Sequence, residues 1–132
     1  MSIYLDTFVF MDLLSGSKEI AEKAAVYMKE EAVVSAVLLT ELSFHIGRRK
    51  KSKIDEVLFY LQSLPDLRIV PVSAEIASLA GKLRAAYFKK IEKKLTYFDC
   101  IHLATALVSG CTKFVTGDRG FAAIQEIEME IY

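Results

Sequence analysis

Short apolar runs alternate with longer amphipathic segments from one end of the chain to the other. That alternation is the strongest constraint on the fold, because strands separated by helices pair in parallel through right-handed crossovers. Residues 2–6 are expected to form a strand closed by Asp6-Thr7. Ser17 is positioned to cap a helix reaching about Glu31, with Ile20, Ala21, Ala24, Ala25 and Met28 on one face. Val33 to Ser35 suits a second strand, and a helix from about Val37 to Arg49 follows. Ser52 is expected to cap another helix, with Ile54, Val57, Leu58 and Leu61 aligned, halted before Pro65. A third strand is expected over 67–72, and Ser73 opens an amphipathic helix through Ile76, Ala80, Leu83 and Tyr87. The segment Thr96 to Val108 is apolar nearly all round, which predicts a helix buried on more than one side and ended by Gly110. Residues 113–116 suit a fourth strand, and 127–131 a fifth at an edge, with Glu128 and Glu130 turned outward. The predicted fold is α/β: a three-layer parallel β-sheet of four to five strands flanked by helices. Its second crossover holds a helical hairpin, 37–49 and 53–63, larger than a crossover needs and suited to a partner or dimer surface.

At 132 residues the chain is expected to form a single domain, 1–132. A hydrophobic fraction of 53% argues against disorder. Lys plus Arg and Asp plus Glu are balanced at 17 each, so any nucleic-acid binding must come from local patches and not from bulk charge. No apolar run has the length of a membrane span, and the N-terminus lacks the pattern of a signal peptide, so a cytoplasmic location is expected. The two cysteines, Cys100 and Cys111, lie in apolar surroundings and suit buried reduced thiols.

Four carboxylates stand at the edges of these elements. Asp6 ends the first strand, Glu41 lies on the helix after the second, Asp99 opens the apolar helix, and Asp118 follows the fourth strand. Each alone has an ordinary reading: a helix cap, a surface glutamate, a first-turn acid stabilised by the helix dipole, a turn aspartate. Together they fall at the carboxyl edge of one parallel sheet, where open α/β folds bind ligands. Four acids in one crevice repel unless a cation lies between them, and a hard cation takes oxygen ligands.

Other α/β folds with an aspartate after the first strand fail on specific positions. A receiver domain needs an aspartate ending the third strand, which here closes Val70-Pro71-Val72-Ser73. A haloacid-dehalogenase-type phosphatase needs a second aspartate where Phe8 stands. No glycine-rich phosphate loop is present, which disfavours nucleotide-binding enzymes of the P-loop or Rossmann type.

Four blocks carry a family resemblance across essentially the whole chain: Leu5-Asp6-Thr7, then 35–42 (SAVLLTEL), 97–106 (YFDCIHLATA) and 114–121 (FVTGDRGF). In these the chain resembles the PIN-domain ribonucleases of the VapC toxin type. The third and fourth blocks together are the specific ones. The resemblance implies an acidic quartet of Asp6, Glu41, Asp99 and Asp118, with Thr7 and Thr116 as polar supporters. It implies Mg²⁺ or Mn²⁺ as cofactor and RNA as substrate. Two positions depart from the pattern: Phe8 stands where many relatives have Asn or Ser, and Gly120 where many carry a further acid or amide.

Under that resemblance Asp6 and Asp99 are expected as direct metal ligands, Glu41 as the group that orients water or acts as base, and Asp118 as holder of a second metal or a water shell. His102, one turn after Asp99, and His45, one turn after Glu41, suit supporting or core roles, because hard metals prefer oxygen. Arg48, Arg49, Lys50, Lys51 and Lys53 form one basic cluster, and Lys89, Lys90, Lys93 and Lys94 another; each is equally a solvated helix end or a phosphate-contact patch. Arg119, beside Asp118, is the single expected phosphate contact. Tyr4, Phe10 and Phe59 are expected in the core. The toxin resemblance implies a small antitoxin across the helical hairpin, and a homodimer is expected. The alternatives are a PIN nuclease of RNA processing or quality control without an antitoxin, and a non-catalytic RNA-binding scaffold.

Overall fold

The computed structural model describes residues 1–132. Five parallel strands form one sheet in the order β3-β2-β1-β4-β5. They are β1 (Ile3–Leu5), β2 (Ala32–Ser35), β3 (Leu67–Val70), β4 (Lys113–Thr116) and β5 (Glu128–Ile131). Side chains alternate across a strand, so each strand feeds two cores. Ile3, Leu5, Ala32, Val34 and Val115 point to one face; Tyr4, Val33 and Phe114 point to the other. The first face is covered by α1 (Thr7–Leu13), α2 (Lys18–Ala25), α3 (Val37–Arg49) and α4 (Ile54–Ser63), which contribute Val9, Phe10, Ala24, Leu38, Leu42 and Leu61. The second is covered by α5 (Ala74–Tyr87) and α6 (Tyr97–Val108), which contribute Ile76, Ala80, Leu83, Cys100, Leu103, Ala104 and Ala106. A strand buried on both faces has no polar side to show, which is why β1, β2 and β4 read as continuous apolar runs.

The helix ends follow local chemistry. Ser73 caps α5 by accepting the Ile76 N–H. Thr96 and Asp99 form a reciprocal capping box at the start of α6. At its other end Gly110 takes φ 70°, the Gly110 N–H donates to the Leu107 carbonyl and the Cys111 N–H to that of Ala106. This left-handed stop is the Schellman arrangement. Between these ends α6 buries Cys100, His102, Leu103, Ala104, Thr105 and Ala106, as its all-round apolar character requires.

Several local expectations are corrected. The first strand is shorter than 2–6, and α1 starts immediately after Asp6, where no helix is evident from sequence. The next helix stops at Ala25; a tighter 3₁₀ turn, Val26–Lys29, then delivers the chain to β2. Ser52 caps nothing, because it lies inside the 3₁₀ turn Lys51–Lys53, and α4 begins at Ile54 with Lys53 in the cap position. The third strand stops at Val70, two residues short of 72. Phe59 is 76% exposed and is not a core residue, whereas Tyr4 and Phe10 are fully buried. The reason is helical phase: Ile54, Val57, Leu58 and Leu61 share the inward stripe of α4, and Phe59 lies off it. No helix of the protein is long and apolar enough to cross a membrane.

Because Gly110 is held at positive φ, Gly110→Ala is expected to lower stability by about 1–2 kcal/mol. Urea denaturation of parent and variant measures the difference.

Candidate active site

The chain enters the sheet at its centre, builds β2 and β3 to one side, and then crosses to build β4 and β5 on the other. The crevice beyond the carboxyl ends of β1 and β4 is therefore the switch point of the sheet, where open α/β folds place ligands. Asp6 follows β1 directly, and Asp118 lies two residues past the end of β4. Asp99 is the third residue of α6, and Glu41 lies in the second turn of α3.

Asp6 is buried to 6% exposure. The Thr116 hydroxyl donates to Asp6 Oδ2 at 2.8 Å and accepts the Asp118 N–H at 3.0 Å, so one threonine sets both aspartates. On the other flank the Thr7 hydroxyl donates to Glu41 Oε1 at 2.7 Å. The same oxygen lies 2.6 Å from His102 Nε2. His102 is 1% exposed, and its Nδ1 meets the Tyr4 hydroxyl, which accepts the Ser35 N–H at 2.9 Å. When His102 is neutral, the chain closes with Nε2–H donating to Glu41 and Nδ1 accepting from the Tyr4 O–H; protonation places a second N–H and a positive charge beside the acids. No buried side-chain nitrogen or oxygen is left without a partner.

The charges are coupled. Burial pushes the Asp6 carboxyl above the usual carboxylate range; His102 and the Thr116 hydroxyl pull it back, and the charges of Asp99 and Glu41 push it further up. Burial also works to raise Glu41, but the bond and charge of His102, aided by Thr7, hold it below its ordinary value. His102 keeps its proton to higher pH than a free imidazole. Burial opposes that, and the bond to Glu41 with the charges of Asp6, Glu41 and Asp99 outweighs it.

At the Asp99–Asp118 end stands a group that the sequence does not single out. Lys93 lies in the connection between α5 and α6, and its Nζ is 2.7 Å from Asp118 Oδ2 and 3.6 Å from Asp99 Oδ2. Burial would lower the Lys93 ammonium, but the bond to Asp118 and the neighbouring acids hold it above the ordinary lysine value. Asp118 is held low in return: burial would raise it, and Lys93 and the Gly120 N–H outweigh that. Arg119, the phosphate contact expected from sequence, is exposed. Nothing in the composition separates Lys93 from its neighbours Lys89, Lys90 and Lys94; only its path in space does.

No three Asp, Glu, His or Cys side chains are gathered closely enough to share one ion as they stand. The donor set nevertheless fits a hard divalent cation. Asp6, Glu41 and Asp99 each have one carboxylate oxygen engaged by protein donors and the other, Oδ1, Oε2 and Oδ1, without a protein donor. Asp118 differs: Oδ1 accepts the Gly120 N–H at 2.8 Å and Oδ2 accepts from Lys93.

The profile of the PIN domain family matches residues 3–127, and the chain belongs to that family. Its fold is also that of several solved structures. VapBC2 from Rickettsia felis, bound to a fragment of promoter DNA, aligns with TM-score 0.78 at 20% identity, over 100% of this chain and 99% of that chain. VapC20 from Mycobacterium tuberculosis, a Sarcin-Ricin loop cleaving toxin, aligns with TM-score 0.77 at 17% identity, over 96% and 97%. FitAcB from Neisseria gonorrhoeae aligns with TM-score 0.71 at 24% identity, over 98% and 96%. No curated protein matches the chain in sequence.

His102→Leu leaves Glu41 with the Thr7 hydroxyl as its one side-chain donor and leaves the buried Tyr4 O–H without an acceptor, and is expected to cost about 1–3 kcal/mol near neutral pH. Glu41, held low, adds stability above the ordinary carboxylate range that is lost as pH falls through its lowered value. His102, held high, adds stability below the ordinary imidazole range that is lost as pH rises through its raised value. The gap between parent and variant, measured by urea denaturation in chelator, should therefore be widest between those ranges and narrow on both sides.

Proposed function

We propose that the protein is a metal-dependent endoribonuclease and the toxin of a type II toxin–antitoxin pair. The observation that carries this reading is the set of three carboxylates, Asp6, Glu41 and Asp99, each with an uncommitted oxygen at the switch point of a PIN-domain sheet. Mg²⁺ or Mn²⁺ would be held by those three acids. Bound there, the ion supplies Lewis-acid activation of water and neutralises charge on the phosphodiester. The protein's own part is positional. Thr116 and the end of β1 hold Asp6, and the capping box holds Asp99 at the start of α6. Thr7 and His102 hold Glu41 ionised, so that it can orient water or take its proton. Asp118 and Lys93 complete the acidic crevice, and Arg119, exposed at its rim, is available to an RNA phosphate. An enzyme of this kind acts in the cytoplasm, where its substrate is.

The partner surface belongs to the same reading. Phe10, Leu13, Leu14, Leu42, Val57 and Tyr60 line a groove of about 730 Å³ between α1 and the α3–α4 hairpin. Phe44, Phe59 and Tyr60 stand 60%, 76% and 59% exposed on that hairpin. Apolar groups at this density on an otherwise charged surface suit a short amphipathic helix of an antitoxin, or a second copy of the chain. The solved complexes named VapBC support the antitoxin as occupant.

The deciding experiment incubates purified protein with a pool of structured RNAs in Mg²⁺, Mn²⁺ or chelator. Cleavage is expected with the ions and not with chelator. Asp6→Asn and Asp99→Asn should each reduce it to background while circular dichroism stays native, since Asn at 99 can still accept the Thr96 N–H. Glu19→Gln and Glu22→Gln, on the exposed face of α2, should cut at the parental rate; equal loss from these would remove the special standing of the crevice acids.

On the hairpin, Phe59→Ser with Tyr60→Ser should leave RNA cleavage unchanged. The pair should weaken self-association in sedimentation equilibrium, or co-purification with a short DNA-binding protein encoded beside it. Parental behaviour in both assays would exclude this face.

A further inference from the structure

The acids of the crevice divide into two groups by what they contact. Asp6, Glu41 and Asp99 each keep one oxygen clear of protein donors. Asp118 keeps none, because the Gly120 N–H takes Oδ1 and Lys93 takes Oδ2. The Lys93 ammonium also reaches Asp99, 3.6 Å away, so it bridges the pair that would flank a second ion.

This lysine is built into its place. Its side chain is only 17% exposed, and its Nζ stands 4.7 Å from the centre of the Phe121 ring. Its stem crosses Gly120 at close range: a Cβ there would stand 2.7 Å from Lys93 Cδ and 3.0 Å from Lys93 Cβ. Any side chain at 120 would therefore push the lysine off its path. The absence of a side chain at Gly120 and the presence of an ammonium between Asp99 and Asp118 are two halves of one arrangement.

We propose that Lys93 is a resident countercation, standing in the Asp99–Asp118 half of the site in place of a second divalent ion. The protein then takes one ion per chain, on Asp6, Glu41 and Asp99, and Asp118 serves to hold Lys93 and not the metal. This deepens the metal-dependent reading above and rests on it. A fixed ammonium satisfies the requirement that clustered carboxylates be neutralised, and does so without metal. It also leaves a positive charge beside the place of the scissile phosphate.

The test is Mn²⁺ titration of the purified protein, followed by calorimetry and by the electron paramagnetic resonance of free Mn²⁺. The parent is expected to bind one Mn²⁺ per chain. Lys93→Met should bind two, and Lys93→Arg, which keeps the charge, should stay at one. In chelator, Lys93→Met should melt below the parent, and the gap should shrink in high salt, because Asp99 and Asp118 then face each other without a counterion. Should the Met variant not fold, Lys93→Gln makes the same comparison, and the parent's stoichiometry needs no variant. Two ions in the parent, or neutral variants that stay at one ion with unchanged affinity, would overturn the role of Lys93 and leave the metal-dependent reading standing. A parent that binds no Mn²⁺ removes both.

Discussion

The Asp6 carboxylate ends a strand that has a neighbour on each side and helices on each face, so it is held where water is scarce. A charge in that position is costly unless donors or counter-charges surround it. The carboxyl edge of the sheet is arranged to supply them. Thr116, on the adjacent strand, donates directly to Asp6, and the same hydroxyl positions the backbone that carries Asp118. His102 contributes positive character from α6 and Lys93 from the connection that precedes it.

The crevice thus has two ends with different chemistry. At one end Glu41 is held by Thr7 and by an imidazole that is itself anchored through Tyr4 to the Ser35 amide. This chain of bonds runs from β2 through β1 to α6 and α3, so it ties together four elements that are distant in sequence. The Tyr4 ring is fixed in turn by stacking on Phe114 at 5.1 Å. At the other end the Lys93 ammonium, on a stem packed against Gly120, joins two aspartates. The first end is mostly buried and held by several bonds. At the second, Lys93 joins Asp118, which also accepts the Gly120 N–H, to Asp99, which is held by the Thr96 capping box.

The two sides of the sheet also differ. α5 and α6 pack against a core that includes Phe114, Phe121 and Tyr4. The opposite side carries α1 to α4, whose core, Phe10 apart, is aliphatic and leaves an apolar groove at the surface. The groups of the crevice are drawn from both sides, Asp99 and His102 from one, Glu41 from the other. A partner seated along α3 and α4 would lie on the helix that carries Glu41.

Much of this was legible in the chain. Alternating apolar runs and amphipathic segments determine a parallel sheet with helices on both faces, because backbone pairing and apolar burial follow from local pattern. Asp6, Glu41, Asp99 and Asp118 could be named because each adjoins a recognisable strand or helix start. What the pattern did not reveal depended on distance in space. Seven-residue α1 was hidden behind the strand it continues, and Phe59 was assigned inward because its apolar character was weighed without its helical phase. Arg119 is the phosphate contact that adjacency to Asp118 suggests; the cation that contacts Asp99 and Asp118 is a different residue, Lys93, from another loop. Among similar lysines in one segment, sequence carries no signal for the one whose stem has an open path. That path exists because Gly120, across the fold, has no side chain to block it, and packing between distant segments is decided only when the chain has folded.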